Sequence, residues 1–223
     1  MPTQTFWCER TDLVRVSLRR FTYSERADGG AAHQNCPKTN YGHDASRVID
    51  EQATLASDWI TLLPEKGEGH YTVNEQPHDD PRWPVVCDSC GQIFPDGAVW
   101  QTNADPLYRG CPDGKLYTLR DVPPGAMWDA SWYRGAGVTY RWWTGDDGIS
   151  LVVKLPNGHH WMPDSRCSNC TLPEDNVHRC WVRHGDPKLA NLTVDKNGVT
   201  CAAGAGSILA GDYHGFLQNG VLT

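Results

Sequence analysis

The stretch "VVCDSCGQIF", residues 85–94, decides how this chain is read. Cys87 and Cys90 are separated by two residues, and Gly91 follows directly. This is the outline of a zinc knuckle. The chain turns so that both sulfurs face one metal, and the glycine relieves the backbone at the tight end. One knuckle supplies two of four ligands, so the remaining two have to come from elsewhere.

The nearest comparable pair is "RCSNC", Cys167 and Cys170. Four thiolates from two such pairs complete a structural zinc site, with the intervening segment as a large insertion between the halves of a zinc ribbon. Cys180 in "VHRCWVRH" is close enough to stand in for Cys167, with His178 and His184 beside it. The expected metal ligands are therefore Cys87, Cys90, Cys167, Cys170 and Cys180, holding Zn2+ as a structural ion. The sequence leaves open the number of zinc sites, and which of Cys8, Cys36, Cys111, Cys180 and Cys201 join them. Four thiolates leave no open position for water, so such a metal stabilises the fold and does no chemistry. The alternatives are buried thiols packed as small apolar groups and a Cys-x-x-Cys redox motif. No βαβ pattern precedes the motif to support the second.

Composition agrees with a chain of many turns and short elements. It has 223 residues, of which 39% are hydrophobic, and its 22 Gly and 15 Pro favour turns over long helices. The ten Trp and eight Tyr suit a small core, an interface or a ligand groove. The net charge of −7 and the absence of a long basic run make nucleic acid an unlikely partner. "MPTQTFWCERTDLVRVSLRR" has no apolar core of a signal peptide, and no apolar run approaches a membrane span. Nine cysteines in the reducing compartment this implies read as ligands and buried thiols rather than disulfides.

Along the chain, "DLVRVSLRRFTY" (12–23) predicts a strand, and "SERADGGAAHQNCPKTNYG" (24–42) a loop. "HDASRVIDEQATLASDWI" (43–60) is the best helix candidate, with Asp44 as cap and Val48, Ile49, Ala53, Ala56 and Ile60 near one face. Short β runs follow the knuckle: "KLYTLRDV", "MWDASWY", "VTYRWW", "ISLVVKLP" and "HHWM", with "TGDDG" as a hairpin loop. "LTVDKNGVT" reads as two β segments around an Asn-Gly turn. The expected fold is mainly β with few short helices, loop-rich, and stabilised by a zinc-ribbon-like site. Its expected segments are an N-terminal strand-loop-helix (1–63), an irregular linker or long loop (64–84) and a β-rich zinc-binding region (85–223), or all of these in one compact domain.

No catalytic set emerges. The His-x-Glu of zinc deaminases, His-Glu-x-x-His, Gly-x-Ser-x-Gly and the phosphate-binding Gly-Lys-Ser/Thr loop are all missing. "GAGSILAG" fails the dinucleotide spacing. His43–Asp44, His78–Asp79–Asp80 and the group His159, His160 and Asp164 could bind a metal or move protons, but read better as capped turns and solvated loops. Trp132, Tyr133, Trp142 and Trp143 are candidates for an exposed aromatic patch, with core burial as the alternative.

Several long segments carry a resemblance: "LYRGCPDGKLYTLRDVPPGAMWDASWY", "HHWMPDSRCSNCTLP", "HRCWVRHGDP" and "LTVDKNGVTCAAGAGSILAGDYHGFLQNG", with "CERTDLVRVSLRRF" and "PHDDPRWP" before the knuckle. In these the chain resembles a family of small, mostly uncharacterised proteins of tailed bacteriophages and prophages. The resemblance implies a protein made in the bacterial host cytoplasm and assembled into the virion. The expected role is non-enzymatic: a capsid decoration (cement) protein, or a tail or head-fibre accessory. Its partners would be other phage structural proteins or copies of itself, with no membrane involved. The alternative is an intracellular zinc-ribbon protein, either a metal-containing enzyme or a nucleic-acid-associated regulator.

Overall fold

The computed structural model describes residues 1–22, 36–39, 41–66, 70–134, 141–175, 177–203 and 206–223. Strand accounts for 39% and helical turns for 6%, and no helix reaches seven residues among the described residues, so the chain is β-rich as expected. Most of the loop expected at 24–42 lies outside the described residues. The chain divides into two compact units: one is Met1–Arg10 with Tyr108–Thr223, the other Thr11–Leu107. The second is thus inserted, in sequence, into the first.

The strands run in chain order as β1 (Thr3–Gln4), β2 (Phe6–Trp7), β3 (Glu9–Phe21), β4 (Asp44–Thr54), β5 (Ile60–Leu62), β6 (Tyr71–Val73) and β7 (Val99–Arg109). After the inserted unit come β8 (Ala126–Asp129), β9 (Leu151–Lys154), β10 (His160–Trp161), β11 (Val182–His184) and β12 (Thr193–Asp195). Two short hairpins close the chain: β13 (Ile208–Ala210) with β14 (Tyr213–Gly215), and β15 (Leu217–Gln218) with β16 (Val221–Leu222).

In the inserted unit the sheet order is β4-β3-β7, and β5 pairs with β6 as a hairpin. β3 forms where the sequence predicts it, because Val14, Val16 and Leu18 fall at alternating positions and are fully buried. The expected helix over 43–60 is instead β4, followed by turns and β5. β4 pairs antiparallel with β3 from Leu13↔Thr54 to Phe21↔Asp44, with irregularities near Val16. Asp44 does not cap a helix; its carboxylate accepts from the Arg19 guanidinium across the strands. Ala45 and Ala53 turn inward while Val48 and Ala56 are exposed, so the expected helical face is split. The backbone groups of β3 need a partner strand, and that non-local demand overrides a weak local periodicity.

The other unit contains a five-stranded sheet, β1-β16-β15-β12-β11, and a four-stranded sheet, β10-β9-β8-β2. Met127, Leu151 and Val153 of the second pack with Val194, Leu217 and Leu222 of the first in one core. The alternate residues Trp128 and Val152 enter a second core with Cys8, Tyr108 and Cys111. β8 and β9 are therefore buried on both faces, which explains their continuous apolar sequence. Each such fully buried side chain contributes about 1.5–3 kcal/mol.

Several local expectations change: "KLYTLRDV" makes only the single Tyr108↔Tyr117 bridge, and Ser131–Arg134, which takes in the end of "MWDASWY", is a 3-10 turn. Arg141–Trp143 is a 3-10 turn rather than part of a strand, and residues 138–140 of "VTYRWW" lie outside the described residues. "TGDDG" is a tight turn closed by the Gly145 N–H on the Ile149 carbonyl, but it joins that 3-10 turn to β9 and not two strands. The second β segment expected just after Asn197–Gly198 is a single parallel bridge, Arg179↔Thr200, because Asp195 captures the backbone N–H and side-chain amide of Asn197 and turns the chain away.

Candidate metal centres

Among the described residues, two Cys/His groups could hold a metal ion, one in each unit. The first is Cys36, His43, Cys87 and Cys90; the second is Cys170, His178, Cys180 and Cys201. Within each group the donor atoms lie within 4.8 Å of one another.

The first centre begins with the expected knuckle. The Val86↔Ile93 bridge and the Cys87 N–H on the Gln92 carbonyl form a narrow hairpin. Gly91 sits at its tight end with φ +74, the left-handed region that glycine enters without penalty. Asp88 fastens the knuckle to β4 by accepting from the Ser46 N–H and from Arg47 at 2.7 Å. The facing ligands come from the segment before β4. The Cys36 N–H donates to the Tyr41 carbonyl, and the Thr39 N–H returns to the Cys36 carbonyl. His43 follows, buried, with Nδ1 at 3.4 Å from Cys90 Sγ. Phe94, Ala45 and Ala98 pack around the sulfurs.

Backbone amides point at these sulfurs. Burial pushes the Cys36 and Cys87 thiols up, but N–H groups outweigh it and hold both below the usual range: Lys38 and Thr39 at Cys36, and Asp44, Cys90 and Ser89 at Cys87. Cys90 goes the other way. The Gln92 N–H favours its thiolate, yet burial and the neighbouring Cys36 and Cys87 sulfurs push it up. Crowded thiols with amide donors are the surroundings a cation relieves.

The second centre gathers three segments. Cys170 closes a turn on the Cys167 carbonyl, and Thr171 Oγ1 accepts from the Ala202 N–H, which sets Cys201 beside it. The Arg179↔Thr200 bridge brings Cys180 to the same place. His178 Nε2 stands 3.2 Å from Cys170 Sγ and 3.9 Å from Cys180 Sγ, and Cys180 and Cys201 are 3.8 Å apart. On the far side of the ring, Nδ1 faces Asp175 Oδ2 at 3.2 Å. A carboxylate on one imidazole nitrogen fixes the tautomer and aims the other at a metal. The ring of Trp142 lies 5.2 Å from His178, with the Arg166 guanidinium 3.8 Å above that indole. Burial raises the Cys180 thiol, helped by Cys167 and Cys170. The Cys201 thiol, although burial pushes it up, falls to about 6 under the Ala203 and Thr171 amides, Cys180 and Lys196.

The five expected ligands are thus divided. Cys87 and Cys90 join Cys36 and His43, while Cys170 and Cys180 join His178 and Cys201. Cys167 packs against the second group and helps push the Cys180 thiol up, a fifth sulfur beside four donors. Cys36 and Cys201, which the sequence leaves unassigned, lie far along the chain from the cysteines they join. His43 and His178 were visible beside charged residues, but nothing local separates them from ordinary loop histidines. Trp132 is 51% exposed, whereas Tyr133, Trp142 and Trp143 are half-buried and packed on neighbouring rings or on Arg166. No helix among the described residues is long and apolar enough to cross a membrane.

Compared with known proteins, the chain matches no family model, no curated protein and no solved structure.

Proposed function

We propose that this is a non-enzymatic structural protein of a bacteriophage particle, acting through protein–protein contacts, with each unit pinned by its own zinc ion. The observation that carries the metal reading is the spacing of the donors. Sulfur and nitrogen at about 2.3 and 2.1 Å from a tetrahedral zinc stand about 3.8 Å (S···S) and about 3.6 Å (S···N) apart. Cys180 and Cys201 are 3.8 Å apart, and the three sulfur–nitrogen separations are 3.4, 3.2 and 3.9 Å. Soft thiolates with one imidazole favour zinc over oxygen-loving cations.

Three sulfurs and one nitrogen fill a tetrahedral shell, so neither ion has a position for water or substrate. That supports a structural role for both. The virion assignment rests on the resemblance to tailed-phage proteins and agrees with the acidic net charge and the exposed Trp132. In this reading the protein works through its surface, and the metals keep that surface in shape.

The test is quantitative proteomics of particles purified from a lysate in which the chain is made, with zinc measured on the isolated protein. Copies near the capsid subunit count indicate a decoration protein, and low reproducible copies a tail or fibre accessory. Absence from the particle overturns the virion reading and favours the intracellular alternative. Fewer than two zinc ions per folded chain overturns the metal reading.

A further inference from the structure

Cys8 and Cys111 belong to neither Cys/His group, yet they stand together. Both are buried, at 1% and 5% exposure, in the same core with Tyr108, Trp128 and Val152. They pack in one core, where the Cys111 sulfur helps push the Cys8 thiol up and Cys8 in turn favours the Cys111 thiolate. The backbones are also close at this point. A Cβ added at Gly110, which has φ +117, would lie 2.0 Å from the Trp7 carbonyl oxygen and 3.3 Å from Cys8 Cα. Cys8 is held from the other side by its N–H on the Met127 carbonyl at 2.7 Å. Cys111 sits in the turn of a loop closed by Tyr108 and Tyr117, which exchange both backbone hydrogen bonds, and the Gly114 N–H returns to its carbonyl.

The place of this pair in the chain gives the contact a purpose. Cys8 lies two residues before the inserted unit's neighbour Arg10, and Cys111 shortly after the chain returns at Tyr108. We propose that Cys8 and Cys111 are a latent disulfide at the stem of the inserted unit, thiols in a reducing compartment and a covalent staple after transfer to an oxidising medium. A bond there would close the whole of Thr11–Leu107 into one loop. Unfolding of the inserted unit would then no longer separate the strands that enter and leave it.

The oxidant is a small-molecule disulfide such as oxidised glutathione. One cysteine thiolate attacks a glutathione sulfur, releasing one reduced glutathione and leaving a mixed disulfide. The second cysteine attacks the protein sulfur of that mixed disulfide, forming the Cys8–Cys111 bond and releasing the second glutathione. The two protons lost by the cysteines end on the two glutathione thiols. Burial pushes the Cys8 thiol up to about 12 and raises Cys111 as well, so little thiolate is present in the folded state and exchange there is slow. The staple forms during folding, or when the stem opens.

Trypsin offers a clean readout, because each cysteine falls in a peptide with no other: "MPTQTFWCER" (1–10) and "GCPDGK" (110–115). The full chain is refolded with zinc in a glutathione redox buffer, alkylated, digested without reductant and mapped by mass spectrometry. The expected product is these two peptides joined, lighter by two hydrogens than their sum. The oxidised protein should melt roughly 5–10 °C above the reduced one, the scale for stapling a loop of about 100 residues in a chain this size. The double variant C8A/C111A should lose the oxidant-dependent shift. Alkylated Cys8 and Cys111 after oxidative refolding, or pairing of either with a third cysteine, overturns the proposal, and the wild-type peptide map decides this even where the variant does not fold.

Discussion

At the residue scale, the second centre depends on more than its four donors. Asp175 touches no sulfur; it accepts from the Val177 N–H at 2.7 Å and holds His178 Nδ1, so the ring presents Nε2 to the thiols. Replacing such a partner weakens metal affinity by roughly 10–100-fold. D175N should therefore release one of the two proposed zinc ions to a competing chelator at 10–100-fold lower chelator concentration and leave the other unchanged. Equal retention of both ions would remove Asp175 from this role.

Asp164 is a different residue-scale case, set by burial. It is 5% exposed, and Arg183 stands 3.2 Å from its Oδ2 without an aligned hydrogen bond to that oxygen. Burial raises its carboxyl above the usual range, and Arg183 and Arg179 only partly oppose this. An acid whose folded pKa exceeds its unfolded value binds protons more tightly when folded. Its stabilising effect is complete below the unfolded pKa near 4 and is lost as pH rises through the folded one. D164N keeps the shape without the charge, so its stability relative to wild type should improve between pH 4 and pH 7. Urea midpoints at the two pH values check this, and a constant difference would refute it.

At the element scale, the first knuckle and β4 form one construction. Gly91 has nothing within 4 Å of where a Cβ would go, so G91A meets no clash and only the left-handed φ. The expected loss is about 1 kcal/mol by chemical denaturation, with both metals retained. β4 shows why local periodicity misled. Val48, Ile49 and Ala53 repeat at helical spacing, but two β-branched neighbours and an unpaired β3 favour a strand. β3, β8 and β9 were legible because burial at alternate positions, or on both faces, is written directly into their apolar residues.

At the scale of the whole molecule, each unit has its own core and its own donor group. A structural zinc contributes on the order of 10 kcal/mol to folding, comparable to the stability of a domain. On the proposed reading, C87S should therefore unfold the inserted unit and lower the zinc content from the proposed two ions to one. Limited proteolysis should then cut within 11–107 and spare the other unit. C201S should give the converse pattern. If either variant lost both ions together, the units would not be independent metal-folding bodies.

The sequence by itself determined the β-rich class and offered Cys87–Cys90 and Cys167–Cys170, with Cys180 beside them, as candidate donors. Turn chemistry and strand patterning act over a few residues, and two thiols two residues apart already share a face. Only the tertiary structure decided which donors complete each centre. Cys36 reaches Cys87 because Asp88 fastens the knuckle to the start of β4, just after Cys36 and His43, and Cys201 reaches Cys180 through the bridge of Arg179 with Thr200. Cys8 and Cys111, read from sequence as unassigned thiols, meet because the chain leaves and re-enters one unit at neighbouring points. A metal ligand set, like a disulfide, is a statement about distance in space. Spacing along the chain fixes that distance only within a turn.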